Sequence, residues 1–174
     1  MTCNVRIPLK DSTAKLIAGG AKAFVLPIEP QLSYTWDINA EGWSIKEIEP
    51  FCQPGDTLYL LETWSWISRL DIESFRIGDT SKQEFQYVYK ADYTGDFGKL
   101  HWRSPVTMQT KDIDKSPCRH IWTDWKIEAV QFSEITFEQC KKLGLQNVEG
   151  WFTETYPHLN MDSWVWYIEK GDKR

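Results

Sequence analysis

Short alternations of apolar and polar residues, punctuated by proline, glycine and Asx-type turns, recur along the chain and predict a β-rich fold. Asn4 to Pro8 reads as a first strand. Asp11 or Ser12 caps a helix carrying Ala14, Leu16, Ile17 and Ala18, and Gly19-Gly20 ends it. Ala23 to Ile28 is a second strand. Residues 37–50 show little pattern and read as a loop with scattered Trp and Ile anchors. Gln53-Pro54-Gly55-Asp56 predicts a type II turn, because its second central position needs positive φ. Thr57 to Trp64 then alternates as a strand, with Leu58, Leu60, Glu62 and Trp64 on one face.

The second half continues in the same style. Residues 67–84 are polar and read as a loop or insertion. Phe85 to Asp92 is a strand, with Phe85, Tyr87, Tyr89 and Ala91 on one face and Val88, Lys90 and Asp92 on the other. Tyr93 to Gly98 is a turn, and residues 109–120 read as a loop. Trp122 to Phe132 is a long strand with Trp125, Ile127 and Ala129 on one face. Thr136-Phe137-Glu138-Gln139 fits a capping box opening a helix that stops at Gly144. Residues 151–157 suit a further helical turn, and Ser163 to Glu169 a final strand. The sum is mainly β with short α-helices, an α+β single domain over residues 1–174. A small barrel or strongly bent sheet is its natural solution.

Composition narrows the function. The chain has 174 residues, 41% of them apolar or aromatic, which suffices for a sizeable core. No apolar run approaches the ~18 residues of a membrane span, and the N-terminus lacks an apolar signal core. A soluble, cytoplasmic protein without membrane association is expected. The net charge of −5 excludes a uniformly basic nucleic-acid coat. Charge is uneven, however: residues 37–63 hold six acids and one base, while residues 99–126 hold six bases and three acids. One edge could therefore hold a polyanion.

Cys3, Cys52, Cys118 and Cys140 are scattered without a framework, as reduced thiols are. Cys118 and His120 are one residue apart, with His101 the other recruit, but ordinary loop residues are the expectation and no metal or cofactor is assigned. Ten tryptophans can fill a small β-barrel core or form a platform on which bases stack; most are expected in the core, with room for a few to line a site. Glu62 shares a strand face with two leucines and a tryptophan. Desolvation there would raise its pKa unless a cation or donors lie nearby, so Glu62 is a site candidate.

Several segments, in order, carry a resemblance. They are Leu16 to Gly20, Ile28-Glu29-Pro30-Gln31, Cys52-Gln53-Pro54-Gly55-Asp56, Leu58 to Trp64, Tyr89-Lys90-Ala91-Asp92, Trp102 to Met108 and Trp164-Val165-Trp166. Together they resemble the ASCH-type proteins of phages and prophages, within the PUA-like superfamily. The resemblance implies a PUA-like β-barrel flanked by short helices, with a cleft suited to RNA or a modified nucleoside. Some ASCH relatives deacylate N4-acetylcytidine, and nuclease activity has been ascribed to others. In those hydrolases a lysine and a threonine after the first helix work with a glutamate on a following strand.

By that resemblance Glu62 falls on the glutamate and Lys22 on the lysine, whereas the threonine position is Val25 and the arginine-rich loop end is Leu26-Pro27. Arg103 fits a Trp-Arg element. Thr63 neighbours Glu62 but would face the other side of a continuous strand. The expectation is an RNA- or nucleoside-binding module that lacks the hydrolase chemistry. Trp64 or Trp102 would stack on bases, and Lys22, Lys90 and Arg103 would contact phosphates or base edges. The alternative is a small hydrolase of acylated pyrimidine nucleosides or RNA, with Glu62 as acid/base and Lys22 its partner. A protein-interaction role ranks third. Both leading readings expect Glu62, Lys22 and Arg103 to meet at one hollow.

Overall fold

A computed structural model of the chain describes residues 3–32, 34–37, 42–45, 49–69, 84–110 and 117–172. Mixed strands and a few short helices make it an α+β protein. Among the described residues the strands pair as four sheets, two of three strands and two of two, and no closed barrel forms. The chain divides into two compact units. The first comprises Met1–Val5, Leu16–Thr57 and Trp122–Arg174, and the second Arg6–Lys15 and Leu58–Ile121.

The first unit is built on β2 (Ala23–Pro27), β9 (Trp125–Gln131) and β10 (Trp164–Lys170), antiparallel in the order β2-β10-β9. Trp164 to Ile168 has no polar alternation, and Val165 to Glu169 is buried throughout, as befits a central strand. On one face Val25, Val165 and Tyr167 join Phe132, Leu143, Phe152 and Tyr156 in a core. The helices α2 (Phe137–Leu143) and α3 (Val148–Thr155) supply Leu143 and Phe152. Helix α2 opens with the expected capping box on Thr136 and Gln139 and closes on Gly144 in the left-handed region. Phe132 and Phe152 stack at 3.8 Å, and the Tyr156 hydroxyl donates to the Val25 carbonyl at 3.2 Å. Each such ring contributes about 1.5–3 kcal/mol through burial.

In the second unit Tyr59, Leu61, Trp64, Met108 and Cys118 form the core, with Tyr89 and Ile121 against it. Strands β1 (Asn4–Pro8), β5 (Thr57–Leu61) and β8 (His120–Trp122) pair in the order β1-β5-β8, and Leu58–Leu61 and His120–Ile121 belong to this unit. The antiparallel ribbon of β6 (Trp64–Arg69) and β7 (Glu84–Tyr89) sets Trp64 opposite Tyr89 and Trp66 opposite Tyr87. The helix α1 (Asp11–Ala18) begins here.

Four expectations about elements are corrected. Residues 37–50 are not simply loop: β3 (Tyr34–Asp37) and β4 (Gly42–Ile45) pair as a hairpin with Trp36 opposite Trp43. Each is four residues long, the shortest stretch over which alternation marks a strand. Residues 67–69 belong to β6 and Glu84 to β7, while residues 70–83 lie outside the described residues. The strand expected over residues 57–64 stops at Leu61, and Leu58 to Leu61 are all buried, so it is covered on both faces. The strand expected over residues 122–132 is two strands. A bend at Thr123-Asp124 separates β8 from β9 and moves the chain into another sheet.

Candidate functional site

The break after β5 makes the site. Glu62 and Thr63 leave the ladder, and Trp64 begins β6 by exchanging backbone hydrogen bonds with Arg103 (2.7 and 3.2 Å). Freed from strand geometry, neighbouring side chains reach separate partners. Glu62 has a side chain only 1% exposed. Arg119 clamps it, with Nε donating to Oε2 at 2.8 Å and a terminal nitrogen to Oε1 at 2.9 Å. His120 Nε2 stands 3.5 Å from Oε2. The Arg119 guanidinium lies 4.0 Å above the Tyr89 ring, and its remaining terminal nitrogen donates to Asp92 Oδ2 at 2.6 Å.

These contacts shift the titrations around them. Desolvation pulls the Arg119 guanidinium down, but its hydrogen bonds to Glu62 and Asp92, with their charges, outweigh that and hold it above its ordinary value. Burial pushes the Tyr89 phenol up to about 12, against the opposing Arg119 charge. The Tyr89 hydroxyl donates to the Pro117 carbonyl.

Thr63, outside any strand, has a different partner from Glu62: its Oγ1 donates to Asp11 Oδ1 at 2.6 Å. Lys90 Nζ holds the other Asp11 oxygen at 2.7 Å, and the Lys90 amide donates to the Thr63 carbonyl at 3.0 Å. Desolvation raises the Asp11 carboxyl, yet the Lys90 and Thr63 bonds and the Lys90 charge leave it below the ordinary carboxylate range.

Asp11 and Lys90 are two walls of a cleft of about 540 Å³, completed by Ser12, Lys15, Ala91, Asp92, Tyr93, Thr94 and Phe97. All belong to the second unit. Such a volume suits a small ligand. Lys15 is exposed and makes no ion pair among the described residues. Phe97 is 45% exposed and meets Tyr93 edge-on at 5.5 Å. Trp102 lies 5.5 Å from Tyr93 and 5.7 Å from Phe97, with its indole N–H donating to the Phe97 carbonyl at 3.2 Å. The cleft thus carries an aromatic wall braced by Trp102, fixed carboxylates and an ammonium that makes no ion pair among the described residues.

Of the residues singled out in the sequence, Lys90 lines this cleft and Trp102 supports its rings. Glu62 connects to it through Arg119 and Asp92. Trp64 is a core residue, 8% exposed, with its N–H donating to Thr107 Oγ1 at 3.3 Å. Arg103 lies 5.4 Å over the Trp64 ring and does not line the cleft. Lys22 belongs to the first unit, where it pairs with Asp172 at 3.2 Å, and Val25 is in that unit's core. Cys118 Sγ faces the Leu60 and His120 carbonyls at 3.5 and 3.7 Å. No group of three metal-binding side chains gathers among the described residues.

Arg119, Asp11 and the ring pair Tyr93–Phe97 escaped the sequence reading. A carboxylate in an apolar strand face needs a cation or donors if it is to stay ionised, but residues 99–126 contain six bases and nothing local distinguishes one of them. Comparison with protein-family models, with curated proteins and with solved structures returned no match. Among the described residues no helix is long and apolar enough to cross a membrane.

Proposed function

We propose that the second unit binds a nucleotide, free or as part of single-stranded RNA, in the cleft between the start of α1 and the Lys90–Phe97 segment. The carrying observation is that the exposed Phe97 ring, the half-buried Tyr93 ring and the Lys15 ammonium, which makes no ion pair among the described residues, line one hollow. A ring wall stacks on any base, and a lysine without an internal partner suits a phosphate. The ASCH kinship and PUA-like barrel implied by the resemblance belong to the same proposal. Their support is the Gln53–Asp56 turn leading into β5 and the Glu62-Thr63-Trp64 block that carries the site.

Binding is favoured over turnover by the state of the groups that hydrolysis would use. Both Glu62 oxygens accept from Arg119, Thr63 already donates to Asp11, and the position where the resemblance wants a threonine is the buried Val25. Among the described residues, Glu62 and Thr63 are thus engaged by other partners rather than by each other.

Calorimetric titration with nucleoside monophosphates and short single-stranded oligoribonucleotides tests the reading. Saturable binding that weakens as salt rises is expected. Phe97→Ala should lower affinity by roughly 5- to 150-fold, the equivalent of about 1–3 kcal/mol of stacking. Absence of binding at millimolar nucleotide, or indifference to Phe97→Ala, overturns it.

A further inference from the structure

Resting on that reading, we propose that Asp92 makes the cleft selective for guanine. Asp92 lines the cleft, its amide closes the Tyr89–Asp92 turn by donating to the Tyr89 carbonyl, and its side chain is 51% exposed. One oxygen, Oδ2, accepts from Arg119 at 2.6 Å, and Arg119 is itself immobilised by two bonds to buried Glu62 and by the Tyr89 ring. Asp92 is therefore held from one side in a fixed orientation. No described donor reaches Oδ1, and Oδ2 retains a second lone pair.

An ionised carboxylate only accepts hydrogen bonds, so a ligand edge must answer with donors. Among the four standard bases only guanine presents two adjacent donors on one edge, its ring N1–H and its exocyclic amine. In cytosine and adenine the amine sits beside a ring nitrogen acceptor, which the carboxylate repels. Uracil flanks its single ring N–H with two carbonyls. Two parallel charge-assisted bonds are shorter and stronger than the single bond open to the other bases. The neighbouring rings Tyr93 and Phe97 offer a stacking surface for the same base, and Lys15 an ammonium for its phosphate.

The test uses the full chain and compares GMP with IMP, AMP, CMP and UMP by calorimetry. IMP keeps N1–H and lacks only the amine, so it isolates one of the two bonds. GMP should bind roughly tenfold tighter than IMP, the effect of one hydrogen bond to a charged group. Asp92→Asn keeps an oxygen for Arg119 but offers an NH2 group to the ligand, so the GMP-to-IMP ratio should fall to near one. Lys15→Ala should weaken both ligands and leave their ratio unchanged. Equal binding of all five nucleotides, or a ratio unaltered by Asp92→Asn, overturns the guanine assignment while nucleotide binding stands. Failure of every nucleotide to bind overturns both. Should Asp92→Asn not fold, the wild-type GMP-to-IMP comparison decides alone.

Discussion

Replacing Arg119 by methionine keeps most of the apolar stem of the side chain and removes the guanidinium with its charge. The carboxylate of Glu62, 1% exposed, would lose both Arg119 donors and, among the described residues, keep His120 Nε2 at 3.5 Å. Breaking a buried pair from one side costs about 3–5 kcal/mol, because an uncompensated charge is left behind. The Arg119 side chain is itself 27% exposed, so water can enter the vacated space and the lower end applies, about 3 kcal/mol. The Asp92 contact, at a half-exposed carboxylate, adds little. Urea unfolding followed by tryptophan fluorescence reads the result through Trp64 and Trp102. With a slope of roughly 2 kcal/mol per molar, the midpoint should fall by about 1.5 M. The double variant Glu62→Leu/Arg119→Met removes both charges and should recover most of that loss. A single-variant shift below about 0.5 M, the scale of a surface pair, would refute the view that Arg119 compensates the buried carboxylate. So would a double variant no more stable than the single.

Gly55 has φ of +100° with open space where a Cβ would lie, so Gly55→Ala meets only backbone strain. A loss of roughly 1–2 kcal/mol in thermal or urea unfolding is expected. Desolvation pushes the Cys52 and Cys118 thiols up to about 11 from 9.0, helped at Cys52 by the Asp56 charge and partly offset at Cys118 by the His120 backbone acting on the sulfur. Unfolded thiols release their protons near pH 9 while the native ones still hold theirs. The stability these thiols contribute is thus complete below about pH 9 and declines as pH rises from 9 to 11. In the native protein at pH 8 a thiol reagent should modify exposed Cys3 first and reach Cys52 and Cys118 only on unfolding; prompt reaction of all four thiols contradicts their burial.

Most elements were legible where local chemistry decides them. The first strand and helix, the Pro54-Gly55 turn, the Thr136 capping box and the final strand all follow from neighbours within four residues. Alternation misled wherever burial or a bend overrode it. Leu58 to Leu61 are buried on both faces, so no period could reveal that the strand ends before Glu62. Thr123-Asp124 breaks an apparently continuous strand because a two-residue bend costs the pattern nothing. Glu62 was legible as an anomaly, an acid in an apolar run. Its partner was not, since Arg119 lies 57 residues away and is brought to it only by tertiary structure.

A buried ion pair is a poor device for stability, because apolar residues of similar volume often serve as well or better. The Glu62–Arg119 pair is better understood as positioning. Two hydrogen bonds and a stacked ring leave the guanidinium one orientation, with its third nitrogen directed at Asp92 in the cleft wall. Burial of Glu62 is thereby converted into a fixed acceptor on the surface of the site. The double variant Glu62→Leu/Arg119→Met separates these roles. Its stability should approach that of the wild type while Asp92, released from its anchor, loses its orientation and the GMP-to-IMP ratio falls. A double variant that regains stability and keeps the ratio would show the pair to be core filling without consequence for the ligand.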